Sequence, residues 1–307
     1  METTDIKKYS FQHISNCNMC GDATEQHKIL GKRLNKSQGL RPQKKTGLTI
    51  SVCKCSNCGL IYSNPQPIPN NIQDHYGVPV ESYWKEEYFK IDENYFIGEI
   101  SILKTLIDTP KGLKVLDIGA GIGKCMIALE NAGFDAYGLE PSVSFYQKAI
   151  DKMKISPDKL KLGKIEELEY PENYFDFITF SVVLEHLYDP SFCIQRALKW
   201  LKPGGIIHIE VPSSKYFMNK LYNAAYAIRG LDYVGNLSPM HTPFHLYEFG
   251  INSFILNSKK HNSGYTIPLH QYYSCETGLP NPFNYLLKKY MSLTVGSMQL
   301  CVWLKKA

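Results

Sequence analysis

Residues 114 to 125 read KVLDIGAGIGKC: an apolar run closed by an acid, then glycines at alternate positions and a lysine. A short apolar run of this kind suits a strand buried on both faces. Alternating glycines suit a tight turn whose backbone, without Cβ atoms, comes close to a neighbour or a ligand. The stretch therefore commits the chain to a strand, a glycine turn and a helix, the entry unit of an α/β nucleotide-binding fold. Two phosphate-binding versions of that unit fail on particular residues. A dinucleotide turn needs G-x-G-x-x-G, and Lys124 stands where the third glycine belongs. A P-loop needs G-x-x-x-x-G-K-[ST], but Ile118 is the residue five before Gly123 and Cys125 follows Lys124. What remains is G-x-G-x-G, a turn that requires no pyrophosphate at the helix start.

Downstream, β-type runs alternate with helical segments. KVLDI is followed by a helix from about Ile122 to Ala132, DAYGLE by a helix from about Val143 to Lys152, then KLGKI, FDFITFS, a helix from about Phe192 to Leu201, and GGIIHIEV. This alternation predicts right-handed crossovers and a parallel sheet covered on both faces. Upstream, apolar residues from Tyr88 to Ile107 recur at helical spacing. In LKPGG, Pro203 is expected to stop the preceding helix and the glycines to turn the chain into the next strand. Residues 213 to 249 read as a Tyr- and Asn-rich insertion, INSFILNSKKHNS as a helix, and GYTIPLHQYY and VGSMQLCVWL as strands.

Five of nine cysteines precede residue 60, in CNMC and CKCSNCG. Cys17 with Cys20 and Cys55 with Cys58 make two C-x-x-C knuckles, each of the kind that holds half of a tetrahedral zinc site, and Cys53 is an alternative ligand. The proline- and asparagine-rich YSNPQPIPNN cannot sustain a helix. The expected organisation is a cysteine-rich zinc-binding module at 1–65, a linker at 66–84 and an α/β domain at 85–307. Residues 1 to 62 carry 10 Lys/Arg and 4 Asp/Glu, a net +6, so the formal +5 of the chain belongs to the module. Its basic loop (Lys36, Arg41, Lys44, Lys45) lacks the interleaved aromatics that base stacking requires. With no apolar core in the first residues and no run near the ~20 apolar residues of a membrane helix, the expected location is the cytoplasm.

Asp117 closes the first strand and Glu140 the second, so both belong at the carboxyl edge of the sheet, where open α/β folds bind ligands. Glu140 suits the two hydroxyls of a ribose, and an acid there disfavours a 2′-phosphate. VLDIGAGIG, the acid of GLEPS, GKIEELEYPENYFDFITFSVVLEHLYDP and LKPGGIIHIEVP, in this order and spacing, resemble the class I methyltransferases that use S-adenosylmethionine. The resemblance covers residues 85 to 211 closely. It implies a Rossmann-like seven-stranded sheet, mostly parallel with an antiparallel last strand, preceded here by a zinc-ribbon-like module. It further implies that Gly119, Gly121 and Gly123 contact the methionine and ribose portions and that Asp117 orients the methionyl amine. Glu140 would bind the ribose, Ile165 and Glu166 the adenine, and Ser181 would lie beside the transferred methyl. Lys164 stands where the family often has an acid. The cofactors implied are S-adenosylmethionine, leaving as S-adenosylhomocysteine, and a structural zinc.

Methyl transfer from a sulfonium is an in-line displacement, so much of its catalysis comes from positioning in a dry pocket. A hydroxyl acceptor can still need a base. His186 of LEHL and His245 of HTPFHLYEFG are the candidates, and the resemblance favours His245 over His241. Pro243 argues against His241 and His245 as an i, i+4 metal pair on a helix. Tyr83 and Trp84 are candidates to lid the sulfonium. The paired C-x-x-C segments followed by this domain resemble bacterial methyltransferases of sugars and other small metabolites in surface-polysaccharide or natural-product pathways. That points to a small-molecule acceptor with O-methylation favoured, its pocket shaped by the 213–249 insertion. Two alternatives stand beside it: an RNA methyltransferase using the basic module, and a non-catalytic S-adenosylmethionine-binding protein. Against RNA, SVVLEH occupies the place where amino-directed nucleic-acid methylases carry [DNS]PP[YF].

Overall fold

The cysteine-rich segment builds two small sheets, and the rest of the chain completes one of them. In this computed structural model, residues 8–34, 48–73, 84–261, 264–274 and 280–307 are described. Tyr83 and the basic positions Lys36, Arg41, Lys44 and Lys45 lie outside them. Strand β1 (Tyr9–Gln12) is followed by β2 (Lys28–Leu34), β3 (Thr49–Lys54), β4 (Ile61–Asn64) and β5 (Gln66–Pro69). β1 and β5 pair antiparallel, so the start of the stretch expected to be a linker is a strand. That strand alternates Gln66 and Ile68 with prolines in a two-stranded pair, where missing N–H donors are tolerated.

Between residues 84 and 113 the structure has a short 3-10 turn (Glu86–Phe89) and helix α1 (Ile97–Leu106). The alternation then runs β6 (Lys114–Ile118), α2 (Lys124–Asn131), β7 (Asp135–Glu140), α3 (Val143–Asp151), β8 (Leu160–Leu162), β9 (Phe175–Ser181), α4 (Pro190–Trp200) and β10 (Leu201–Pro212). Asp189 caps α4 by accepting from the Phe192 N–H (3.0 Å), with Pro190 at the first helical position. α4 ends at Trp200, before Pro203, and Leu201 already pairs with Phe175. The proline and glycines therefore form an irregularity between Leu201 and Ile206 inside β10 rather than a helix stop. The 213–249 insertion holds helix α5 (Phe217–Ile228) and strand β11 (Tyr247–Glu248); α6 (Ile251–Lys260), β12 (Tyr265–Tyr273), α7 (Phe283–Leu293) and β13 (Gln299–Lys306) follow.

Seven strands form the main sheet in the order β12-β13-β10-β9-β6-β7-β8. β13 runs antiparallel to β10 and β12, and the pairs β10–β9, β9–β6, β6–β7 and β7–β8 are parallel. The α/β sheet and its reversed last strand thus match the sequence expectation. Chain order reverses between β6 and β9, which opens a crevice at their carboxyl ends. β11 pairs with β4, so the four-stranded sheet β11-β4-β3-β2 joins module and insertion. The fully buried Asn257 of α6 ties the module to the α/β domain, donating to the Met19 carbonyl (3.0 Å) and to Ser191 Oγ of α4 (2.6 Å). Among the described residues no helix is long and apolar enough to cross a membrane.

Candidate active site

After β6 the backbone turns on glycines for stated reasons. Gly119 has φ +74°, and a Cβ there would stand 2.6 Å from Val183 Cγ2, so the turn excludes any side chain. Its N–H and that of Ala120 donate to the Leu139 carbonyl at 2.7 and 3.0 Å, pinning the turn to β7. Gly121, φ +57°, faces open space where a Cβ would be. Its N–H donates to Glu140 Oε2 (2.7 Å), while Glu140 Oε1 accepts from the Ser142 N–H (2.7 Å). The carboxylate at the end of β7 is thereby aimed by two backbone donors. Burial pushes its pKa up to about 7, with the two N–H bonds pulling the other way. Asp117 at the end of β6 is pushed up to about 8, by burial first and then by the charge of Glu140.

A cavity of about 260 Å³ opens at this edge. Of the expected donor-site residues, Gly119, Gly121, Glu140, Ile165 and Glu166 line it, together with His186. Glu166 is held partly out of solvent, which raises its pKa, and its buried Oε2 has no hydrogen-bond partner among the described residues within good geometry. Four expected residues are outside the lining. Asp117 is buried against Cys125. A Cβ on Gly123 would meet Ile155 Cγ1 at 2.7 Å, which gives that glycine a packing role. Ser181 Oγ donates to Glu210 Oε2 (3.4 Å), and His245 lines a second cavity. Sequence reasoning passed over Tyr88, Phe145, Val182 and Tyr188, which line the first. Lys124 Nζ sits 4.6 Å above the Tyr88 ring and Trp84 packs on Phe145 with ring centroids 5.5 Å apart, so both act behind the wall. Val182 is a β-branched residue at φ +58°, a strained conformation of the kind that gathers at functional sites.

The second cavity, about 240 Å³, is built from module and insertion together. Arg33 of β2, Asn219 of α5, Ser238, His241, His245 and Glu248 are among its walls. Glu248 accepts from Asn236 Nδ2 (2.6 Å), Asn219 Nδ2 (3.1 Å) and the Leu237 N–H (3.3 Å), and burial pushes it up to about 7. The buried Arg33 donates to the Tyr233 hydroxyl and the Val234 carbonyl (3.2 Å). His186 from the first cavity and His245 from the second meet edge to face, with ring centroids 5.0 Å apart. Burial lowers them to about 4 and about 3, so both imidazoles are neutral at pH 7. Glu185, fully buried beneath them, is pushed up to about 8. It is the residue of this wall that sequence reasoning missed, although the LEH run contained it.

Residues 93–248, just over half of the chain, match the family described as "Methyltransferase domain". The chain belongs to the S-adenosylmethionine-dependent methyltransferase family. This methyltransferase is 34% identical over 108 residues to phosphoethanolamine N-methyltransferase 3 of Arabidopsis thaliana, covering 34% of the chain and 22% of that protein. Over 128 residues it is 31% identical to the ubiquinone biosynthesis O-methyltransferase of Bradyrhizobium diazoefficiens, covering 39% of the chain and 49% of the relative. The Coxiella burnetii protein of the same description is 34% identical over 140 residues, 44% of the chain and 56% of the relative. The chain thus spans from about a fifth to just over half of these relatives' length. A SAM-dependent methyltransferase of known structure from Archaeoglobus fulgidus shares the fold, with a TM-score of 0.50 at 15% identity over 74% of this chain and 100% of that one.

In the methyltransferase's amino-terminal module, Cys17, Cys20, Cys55 and Cys58 converge, all four Sγ atoms within 4.8 Å of one another. Cys17 to Cys58 and Cys20 to Cys55 are each 3.6 Å between sulfurs, far beyond a disulfide bond. A tetrahedron of thiolates about 2.3 Å from zinc has edges of roughly 3.8 Å, so the donor set and its spacing fit that ion. Cys53 takes no part in the cluster. His241 belongs to no group that could hold a metal among the described residues.

Proposed function

We propose that this methyltransferase binds S-adenosylmethionine in the first cavity and methylates a polar small molecule held in the second. The observation that carries the reading is that two cavities meet at one pair of imidazoles, His186 lining one and His245 the other. Glu140, fixed by the Gly121 and Ser142 N–H groups, would accept from the ribose hydroxyls, and the unpartnered Glu166 Oε2 with Ile165 would meet the adenine. Gly119 and Gly121 let the ligand approach the backbone, and Asp117 and Ser181 would act on the methionine end from behind the lining. The donor, when bound, supplies a methyl group already activated by its sulfonium, which leaves positioning and desolvation to the protein.

Arg33, Asn219, Ser238 and Glu248 give the second cavity the donors and acceptors that a polyhydroxylated or nucleotide-linked sugar requires. O-methylation fits best, because neutral His186 and His245 stand where the cavities meet and can orient an acceptor hydroxyl by hydrogen bonding. The similarity to O- and N-methyltransferases of small molecules supports this class of acceptor. The four-cysteine cluster would hold one structural zinc. The test has two stages. S-adenosylmethionine and S-adenosylhomocysteine should raise the melting temperature while NAD and ATP do not; stabilisation by NAD alone would overturn the donor assignment. Labelled methyl should then enter a small-molecule extract and not RNA; label in RNA would reverse the acceptor assignment.

A further inference from the structure

Glu185 is a buried acid that hydrogen bonding within the fold does not explain. Its side chain is fully buried, and neither carboxylate oxygen has a hydrogen-bond donor among the described residues. Leaving such a group unmatched is costly, so a partner from outside the chain is expected. What faces it is two imidazole nitrogens: Nε2 of His186 at 3.9 Å and Nε2 of His245 at 3.7 Å from Glu185 Oε1. Both distances exceed the roughly 3.2 Å limit of a good N–H···O bond.

The tautomer of His186 sharpens the point. Its Nδ1 lies 3.2 Å from the Phe244 carbonyl, which can only accept, so Nδ1 carries the proton and donates. Its Nε2 is the ring nitrogen on the Glu185 side. An Nδ1–H held by a backbone carbonyl is also the arrangement that orients a metal-ligating histidine. The three groups thus face one another at separations longer than a hydrogen bond, an arrangement that a cation ligated by all three would account for.

We infer that Glu185, His186 and His245 form a binding site for one divalent transition-metal ion, separate from the cysteine cluster. The three ligand atoms lie within 4.8 Å of one another. Two ligands about 2.1 Å from a shared ion can be up to roughly 4.2 Å apart, so the two measured separations are already within range. Two imidazoles and one carboxylate leave coordination positions open and suit Mn²⁺, Fe²⁺, Co²⁺ or Zn²⁺. The frame is set by the backbone: Leu246 N–H donates to the Glu185 carbonyl at 2.9 Å, tying the loop of His245 to the 3-10 turn (Leu184–His186). Because His186 and His245 line different cavities, the open positions face the place assigned to the acceptor, whose hydroxyl the ion would bind and acidify, the proton leaving to water because both imidazoles serve as ligands. That role rests on the methyltransfer reading, whereas binding of the ion does not.

Mn²⁺ provides the test, because it prefers oxygen and nitrogen ligands to the thiolates of the cysteine cluster. After chelation and readdition of one equivalent of zinc, which the four thiolates take first, titration with Mn²⁺ followed by electron paramagnetic resonance should show one bound Mn²⁺ per chain. Glu185→Gln and His245→Asn should each weaken it at least tenfold, with zinc content and S-adenosylhomocysteine-induced stabilisation retained as checks on the fold. A full chain that takes up no Mn²⁺, or variants that retain folding and bind it as wild type does, would overturn the site. Donor binding without Mn²⁺ binding would remove the ion and leave the methyltransferase reading; Mn²⁺ binding without donor binding would do the reverse.

Discussion

Glu140 ties the structure to the donor through both affinity and pH. Its carboxylate is 5% exposed and already accepts two backbone N–H bonds of 2.7 Å, so it is oriented before a ligand arrives. A further bond from a ribose hydroxyl to a charged acceptor contributes about 1.5 to 3 kcal/mol. Glu140→Ala should therefore weaken nucleoside binding by roughly 10- to 150-fold. The sign of the pH effect follows from the pKa of about 7, raised by burial from an ordinary 4.5. Hydroxyl donors favour the ionised carboxylate, so affinity should climb as pH rises through 7 and level off above it. Between pH 6 and pH 8 the gain should be about tenfold. Calorimetric titration with 5′-methylthioadenosine, which has the ribose and adenine without the ionising amino acid end, isolates the term. Glu140→Ala should bind weakly and without that pH dependence. Equal affinity in the variant, or the same slope with pH, would refute the ribose clamp.

Gly119→Ala places a methyl 2.6 Å from Val183 Cγ2 at φ +74°, so it should cost stability and donor affinity together. Adding Val183→Ala should restore only part of either in thermal-shift titrations, because the backbone strain of roughly 1 kcal/mol or more stays. Asp117, ordinarily 3.8 and held near 8, contributes a loss of stability with rising pH to the ligand-free fold. The unfolded chain gives up that proton first, so this contribution is fully present at the acid end of the window and is lost up to about pH 8, at no more than ~1.4 kcal/mol per pH unit. Asp117→Asn should remove up to that much from the slope in chemical denaturation at pH 5 to 8. Elemental analysis should find about one zinc per chain. Cys17→Ser should abolish it and lower the melting temperature, and a metal-free wild-type protein with the same melting temperature would exclude the structural role.

What was legible in the sequence was local or periodic. The glycine turn needs positive φ at Gly119 and Gly121, and the acid ending the second strand lies one hydrogen bond from that turn, so motif and geometry coincide. The two C-x-x-C pairs are legible for the same reason, since each knuckle is a single turn, and the structure brings the two together. Pairings across long chain separations carry no such signal. β5 was hidden by prolines that break a helix but permit an edge strand, and β11 is a two-residue strand recognisable only by its partner β4. Glu185 was passed over because its meaning comes from His245, sixty positions later. α7 did carry helical spacing, in Phe283, Leu286, Tyr290 and Leu293, but that stretch was read only for its following strand.

The amino-terminal module is joined to the catalytic domain through the walls of both cavities, which changes what a zinc site there would support. From the module, Asn18 Nδ2 donates to the Tyr188 carbonyl (3.1 Å), and from the insertion the Tyr247 hydroxyl donates to the same oxygen (2.8 Å). Tyr188 lines the first cavity, so its backbone is held from two sides. Arg33, on the opposite end of the module, enters the wall of the second cavity through Tyr233 and Val234 of the insertion. The glycine turn and Glu140 are fixed instead by β6 and β7, with bonds wholly inside the parallel sheet. Loosening the cysteine cluster would therefore reach a wall of the first cavity through Asn18 and Tyr188, and the Glu140 carboxylate by none of these bonds. In this arrangement the amino-terminal module supports one wall of each cavity, while the sheet alone fixes the glycine turn and the Glu140 carboxylate.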